Sequence, residues 1–160
     1  MTSAPGRGPE SDATTLAANR EIMRRNIEEL FARGNQSLIS ELYWPDVIDH
    51  NPVPGQRSGH EGLRDVLDIF HTAFPDQTMM LHGTLADGDF AVDFWTFQAT
   101  HTGELDGWPA TGRPVRFNGI DVARIVDGRI KEIWHVEDMA SMWSQLGRSL
   151  ADQPTRPPEQ

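Results

Sequence analysis

The chain has 160 residues, 24 acidic and 14 basic, for a formal net charge of −10. That surplus of negative charge repels phosphate backbones and anionic lipid, which excludes nucleic acid and membrane surfaces as partners. There is no cysteine, so disulfides, thiolate metal sites and a cysteine nucleophile are excluded, and a cytoplasmic location is expected.

No run reaches the ~18 apolar residues that a membrane span needs, and the N-terminal stretch lacks the apolar segment of a signal peptide. Residues 1–14 are expected to form a disordered tail, 15–147 a single domain, and 148–160 a flexible tail. A helix starts near Thr15, carries Ile22, Met23, Ile27, Leu30 and Phe31 at helical spacing, and stops at Gly34. A short helix follows over 37–43, ended by Pro45, and then an extended stretch over 47–52. Ser58 and Glu61 have the form of a capping box. The helix they open shows Leu63, Val66, Leu67, Phe70 and Phe74 on one face and ends at Pro75.

The period then changes to two. Strands are predicted over 78–85, 90–102, 115–126 and 129–136, with turns at Asp87-Gly88 and Asp127-Gly128 and a polar loop at 103–112. A last helix covers 139–145 and stops at Gly147. Helices first and antiparallel strands second make an α+β domain, with helices packed on one face of a sheet. Nucleotide, zinc-protease and serine-hydrolase motifs are absent, and the six histidines lack metal-ligand spacing. No metal and no cofactor are expected.

Five Trp and seven Phe against one Tyr suit a core, and equally a cavity for a flat ligand. Val115, Phe117, Gly119, Asp121, Ala123 and Ile125 share one strand face, and Asp121 is its polar exception. A two-residue Asp127-Gly128 turn places Asp121 opposite Trp134. A three-residue loop places it opposite Ile133 with His135 as diagonal neighbour, and this register is preferred because it gives Asp121 a partner. An Asp–His pair can move protons at neutral pH, and it can equally serve only to fix strand register. A second row runs Ala91, Asp93, Trp95, Phe97, Ala99 and His101, with Trp95 and Phe97 as an apolar wall and His101 near its rim. His50 faces solvent or a cavity, while His60, His71 and His82 are expected at the surface.

The stretch from Asn19 to Gly147 resembles the SnoaL-like polyketide cyclases of the nuclear-transport-factor-2-like type. The resemblance is carried by Asp49-His50-Asn51-Pro52, Phe74-Pro75-Asp76, Gly88-Asp89 and His101-Thr102-Gly103. It continues through Pro109-Ala110-Thr111-Gly112-Arg113-Pro114-Val115, Gly119-Ile120-Asp121-Val122 and Asp127-Gly128-Arg129-Ile130-Lys131-Glu132, and closes on Trp134, Asp138 and Gln145-Leu146-Gly147. It implies a cone-shaped, curved antiparallel sheet closed by N-terminal helices over a ligand pocket, and a homodimer paired through the outer sheet faces. It also implies intramolecular aldol ring closure of an antibiotic precursor without metal or cofactor. In the founding cyclases an acidic residue follows the Trp of the last strand and a His sits on the preceding strand. Here His135 follows Trp134 and Asp121 lies on the preceding strand, so the two residue types are exchanged.

The expected activity is acid–base chemistry on a polycyclic aromatic polyketide. His135 is cast as general base and Asp121 as its orienting partner. Trp95, Phe97, Trp108 and Trp134 are the stacking walls, and His50 and His101 bind substrate oxygens. The same pocket would also suit hydroxylation, epoxide opening or dehydration, or a binding protein without turnover.

Overall fold

A computed structural model describes residues 13–105 and 107–148. Most of the two expected tails therefore lies outside the described residues. Helix α1 (Ala13–Arg25) passes into a π-helical turn, Asn26–Phe31, and then a 3₁₀ turn, Gln36–Leu38, leads into α2 (Ile39–Leu42). Strand β1 (Tyr43–Asp49) and helix α3 (Gly59–Ala73) follow, then β2 (Thr78–Asp87), β3 (Phe90–Thr100), β4 (Pro114–Val126), β5 (Arg129–Glu137) and α4 (Met139–Leu146). The sheet order is β1-β5-β4-β3-β2. Strands β2 to β5 form the antiparallel meander, and β1 joins its edge parallel to β5. That edge is the one departure from an all-antiparallel sheet, and a parallel pair needs the long crossover that α3 and the meander supply.

The proposed capping box is not formed. Ser58 sits at the start of α3 in an extended conformation, but its side chain caps no backbone N–H. Glu61 turns outward to Arg57 and Arg64 instead. Helix α4 is capped as its sequence suggests, with Asp138 accepting from Ser141 N–H at 3.0 Å and Gly147 left-handed at the end.

The preferred hairpin register is also corrected. Asp127 and Gly128 both have positive φ and form a two-residue turn, pairing Val126 with Arg129. A bulge at Lys131 then adds one residue to β5, so Ile125 faces Ile130 but Arg124 faces Glu132. The physical reason is parity. Ile130 and Ile133 lie three apart, and both are buried. Only an inserted residue puts both on the core side. Asp121 therefore pairs directly with His135.

Two apolar clusters fill the space between helices and sheet. One joins Met23, Leu30, Ile39, Leu42, Leu67 and Ile133, and the other joins Phe74, Trp95, Phe97, Phe117, Trp143 and Leu146. The candidate site lies where they meet. Among the described residues, no helix is long and apolar enough to cross a membrane.

Candidate active site

Strands β3, β4 and β5 present three aligned rows on their inner face. Ala91, Ala123 and Ile133 form the first, Asp93, Asp121 and His135 the second, and Trp95, Gly119 and Glu137 the third. Gly119 is required there, because a Cβ would sit 2.2 Å from Cζ2 of Trp95. The missing side chain lets the indole lie across β4 beside Asp121. From the edge strand, Asp49 reaches the same row. Its Oδ1 accepts from Asn51 N–H at 2.8 Å, its Oδ2 accepts from Gln56 Nε2 at 2.9 Å, and Asn51 Oδ1 accepts from His135 N–H at 3.0 Å. The Asp49-His50-Asn51 segment thus clamps β1 onto β5 at the level of the site.

These residues open on a cavity of about 90 Å³. Its polar end is formed by Asp49, Asp121, His135 and Glu137, and its apolar walls include Phe70, Trp95, Phe97 and Phe117. The π-helical turn contributes Ile27 and Phe31 to the lining. Buried Tyr43 also lines it and donates its hydroxyl to Asn26 Oδ1 at 2.7 Å. A second polar spot lies near Phe31, whose carbonyl accepts from Gln77 Nε2 at 2.7 Å and lies 2.9 Å from His71 Nε2. Among the described residues, no group of three or more His, Cys, Asp or Glu is arranged to hold a metal ion.

His135 lies between two carboxylates, with Nε2 3.0 Å from Asp49 Oδ1 and Nδ1 2.7 Å from Glu137 Oε1. Carboxylates only accept, so both ring nitrogens donate and the ring is an imidazolium. Burial works against that charge, but Asp49 and Glu137 outweigh it and push His135 up to about 10. The expected role of His135 as general base is therefore corrected: at neutral pH it is a held cation. Burial also pushes Asp49 upward, yet the hydrogen bond and charge of His135 prevail and hold it below the usual carboxylate range.

Asp121 behaves oppositely. Burial, then the Glu137 charge, pushes it up to about 7, against the opposing pull of His135 and the indole N–H of Trp95. That Nε1 approaches the carboxyl without closing a hydrogen bond. Asp93, fully buried behind Asp121, is pushed up to about 9 by burial and then by the Asp121 charge.

Of the residues predicted from sequence, Asp121, His135, Trp95 and Phe97 meet at the cavity. The others do not line this cavity. Trp134 alternates onto the outer face, where it stacks on His50 with centroids 4.2 Å apart, and His50 Nε2 lies 2.9 Å from Glu132 Oε2. His101 is buried against Phe74, with ring centroids 5.4 Å apart, where Nδ1 accepts from Thr111 N–H at 3.3 Å and burial lowers its pKa. Trp108 lies under the guanidinium of Arg148 at 3.8 Å. His71, expected at the surface, lines the cavity. Asp49, Glu137, Tyr43, Gln77 and Phe117 were not assigned from sequence. Alternation along β5 places Glu137 beside His135, but nothing local shows that β1 docks against β5.

The sequence profile of the SnoaL-like polyketide cyclases matches residues 21–146, which span both apolar clusters and every residue of the polar row. The chain belongs to the SnoaL-like polyketide cyclases. Its relatives include the aklanonic acid methyl ester cyclase DauD of Streptomyces sp. strain C5, 30% identical over 69% of this chain and 67% of DauD. They also include the aklanonic acid methyl ester cyclase DnrD of Streptomyces peucetius, 26% identical over 82% of this chain and 92% of DnrD. Among solved structures, TsrD of Streptomyces laurentii superposes with a TM-score of 0.74 at 26% identity, covering 82% of this chain and 96% of TsrD. AclR of Streptomyces galilaeus, a candidate hydroxylase, gives 0.68 at 26% identity, over 81% of this chain and 96% of AclR.

Proposed function

We propose that this SnoaL-like protein closes a ring on a polycyclic aromatic polyketide by intramolecular aldol chemistry, using side chains alone. The observation that carries the reading is Asp121, a buried carboxyl on the cavity wall held near neutrality beside a permanent imidazolium. A base near the working pH combines the right protonation state with adequate driving force. Asp121 removes a proton from a carbon flanked by carbonyls, and the electron pair delocalises into those oxygens. The carbon then attacks a ketone within the same molecule. A C–C bond forms, the carbonyl pair moves to oxygen, and that oxygen takes back the proton Asp121 removed, which restores the carboxylate. The His135 imidazolium acts on the developing charge through its field alone, since Asp49 and Glu137 hold both of its N–H groups.

The aromatic walls suit flat rings. The cavity of about 90 Å³ is below the ~300–1,000 Å³ of ordinary ligand sites. One ring seats deep, and the rest lies against half-buried Phe31 and Phe70.

The test is incubation of the purified protein with aklanonic acid methyl ester, the compound named for two relatives. Aldol closure gives a new ring at unchanged mass, and Asp121→Asn lowers the rate ~10²–10⁴-fold. The likeness to AclR favours hydroxylation as the second reading, and a product heavier by one oxygen would select it. Ligand binding without turnover in the wild type would leave a carrier.

A further inference from the structure

Asp93 has no part in the chemistry above. It is 0% exposed and faces Asp121 directly across β3 and β4, and among the described residues neither of its carboxyl oxygens closes a hydrogen bond, although the Asp121 backbone N–H lies near enough to offset part of the burial. A buried carboxylate with both oxygens unpaired is among the costliest arrangements a protein can hold. Among the described residues no cation pairs with it. On β2 it faces Thr84, and the buried residues of α1 are Asn19 and Met23. On β1, Tyr43 and Asp49 are the ionisable groups of the cavity, and on β5 they are His135 and Glu137. His135 is already engaged by Asp49 and Glu137. A neutral acid removes the charge, and the neighbour able to take its O–H is the carboxyl paired with it across the strands.

We propose that Asp93 and Asp121 share one proton, with Asp93 the positioning residue that holds it behind the carboxyl facing the cavity. This rests on Asp121 being the working base. Asp93 itself does not line the cavity, so it acts only through Asp121. The shared proton pins one Asp121 oxygen toward β3 and leaves the other for substrate. When Asp121 accepts a proton from carbon, Asp93 stays neutral, so no second charge appears in the interior. Two buried carboxylates side by side cannot both ionise near neutrality, and their protons leave in two steps that belong to the pair.

The experiment follows the carboxyl carbons of ¹³C-aspartate-labelled full-length protein against pH, in the wild type, Asp93→Asn and Asp121→Asn. In the wild type both groups should titrate above the ordinary range of about 4, Asp93 last. Asp93→Asn should remove the later step and leave Asp121 titrating. Asp121→Asn should move the Asp93 step down by about 1 pH unit or more, the size that marks an interacting pair. The pH profile of ring closure should likewise lose its alkaline step in Asp93→Asn, which a purely structural role would not change. The proposal is overturned if Asp93 ionises near 4, or if its titration is the same with and without the Asp121 carboxyl. Shared titration in a protein that closes no ring would sink the cyclase reading alone. An inactive Asp121→Asn with independent titrations would sink proton sharing alone.

Discussion

Replacing His135 by Gln tests whether the ring is a structural cation. Its displacement from 6.5 to about 10, at ~1.4 kcal/mol per pH unit, limits its contribution to ~5 kcal/mol. Solvent contact and relaxation of Glu137, whose side chain is 23% exposed, bring the expected loss to ~3 kcal/mol. That is a large part of the ~5–15 kcal/mol a domain has. The pH dependence fixes the cause. His135 has a folded value above its unfolded one, so its contribution is complete below about pH 6.5 and is lost as pH rises to about 10. Asp49 has a folded value below its unfolded 3.8, so its contribution holds above that pH and is lost as pH falls through the lowered value. The gap between wild type and His135→Gln should therefore be widest between about pH 4 and pH 6.5. Urea unfolding of both proteins at about pH 5.5, 7.5 and 9.5 measures it. A gap under ~1 kcal/mol at the lowest of these, or one that widens toward the highest, would refute the imidazolium.

Gly119→Ala drives a Cβ to 2.2 Å from the Trp95 ring, with an overpacking cost of ~1–3 kcal/mol; unchanged melting temperature and tryptophan emission would contradict it. Gln77 uses Nε2 on the Phe31 carbonyl and leaves Oε1 buried without a partner at the cavity. Gln77→Leu should weaken binding of a hydroxylated anthraquinone ~5- to 10-fold relative to plain anthraquinone, and equal losses in a fluorescence titration would remove Gln77 from recognition. On the outer face Phe94, Ile120 and Val136 form a row across three strands, exposed 45%, 51% and 69%. A contiguous apolar patch of this kind favours a homodimer, which Ile120→Glu should convert to monomer in sedimentation; a monomeric wild type would end that expectation.

Periodicity, turn glycines and prolines act over a few residues, so α3, strands β2 to β5 and α4 were legible in the chain, while the π-helical turn and the start of β1 at Tyr43 were not. Alternation alone also put Asp121 among the inner residues of β4 and paired Trp95 with Phe97. Everything that depends on long-range register came instead from how the strands pack. The bulge at Lys131 set His135 opposite Asp121 and sent Trp134 outward to His50. The parallel docking of β1 brought Asp49 to His135 across 86 positions of chain. Proton affinity followed from that geometry. An isolated histidine is a base near neutral pH, but one held between two carboxylates is a cation. An isolated aspartate is ionised at neutral pH, but one buried beside a second is a base with its proton within reach.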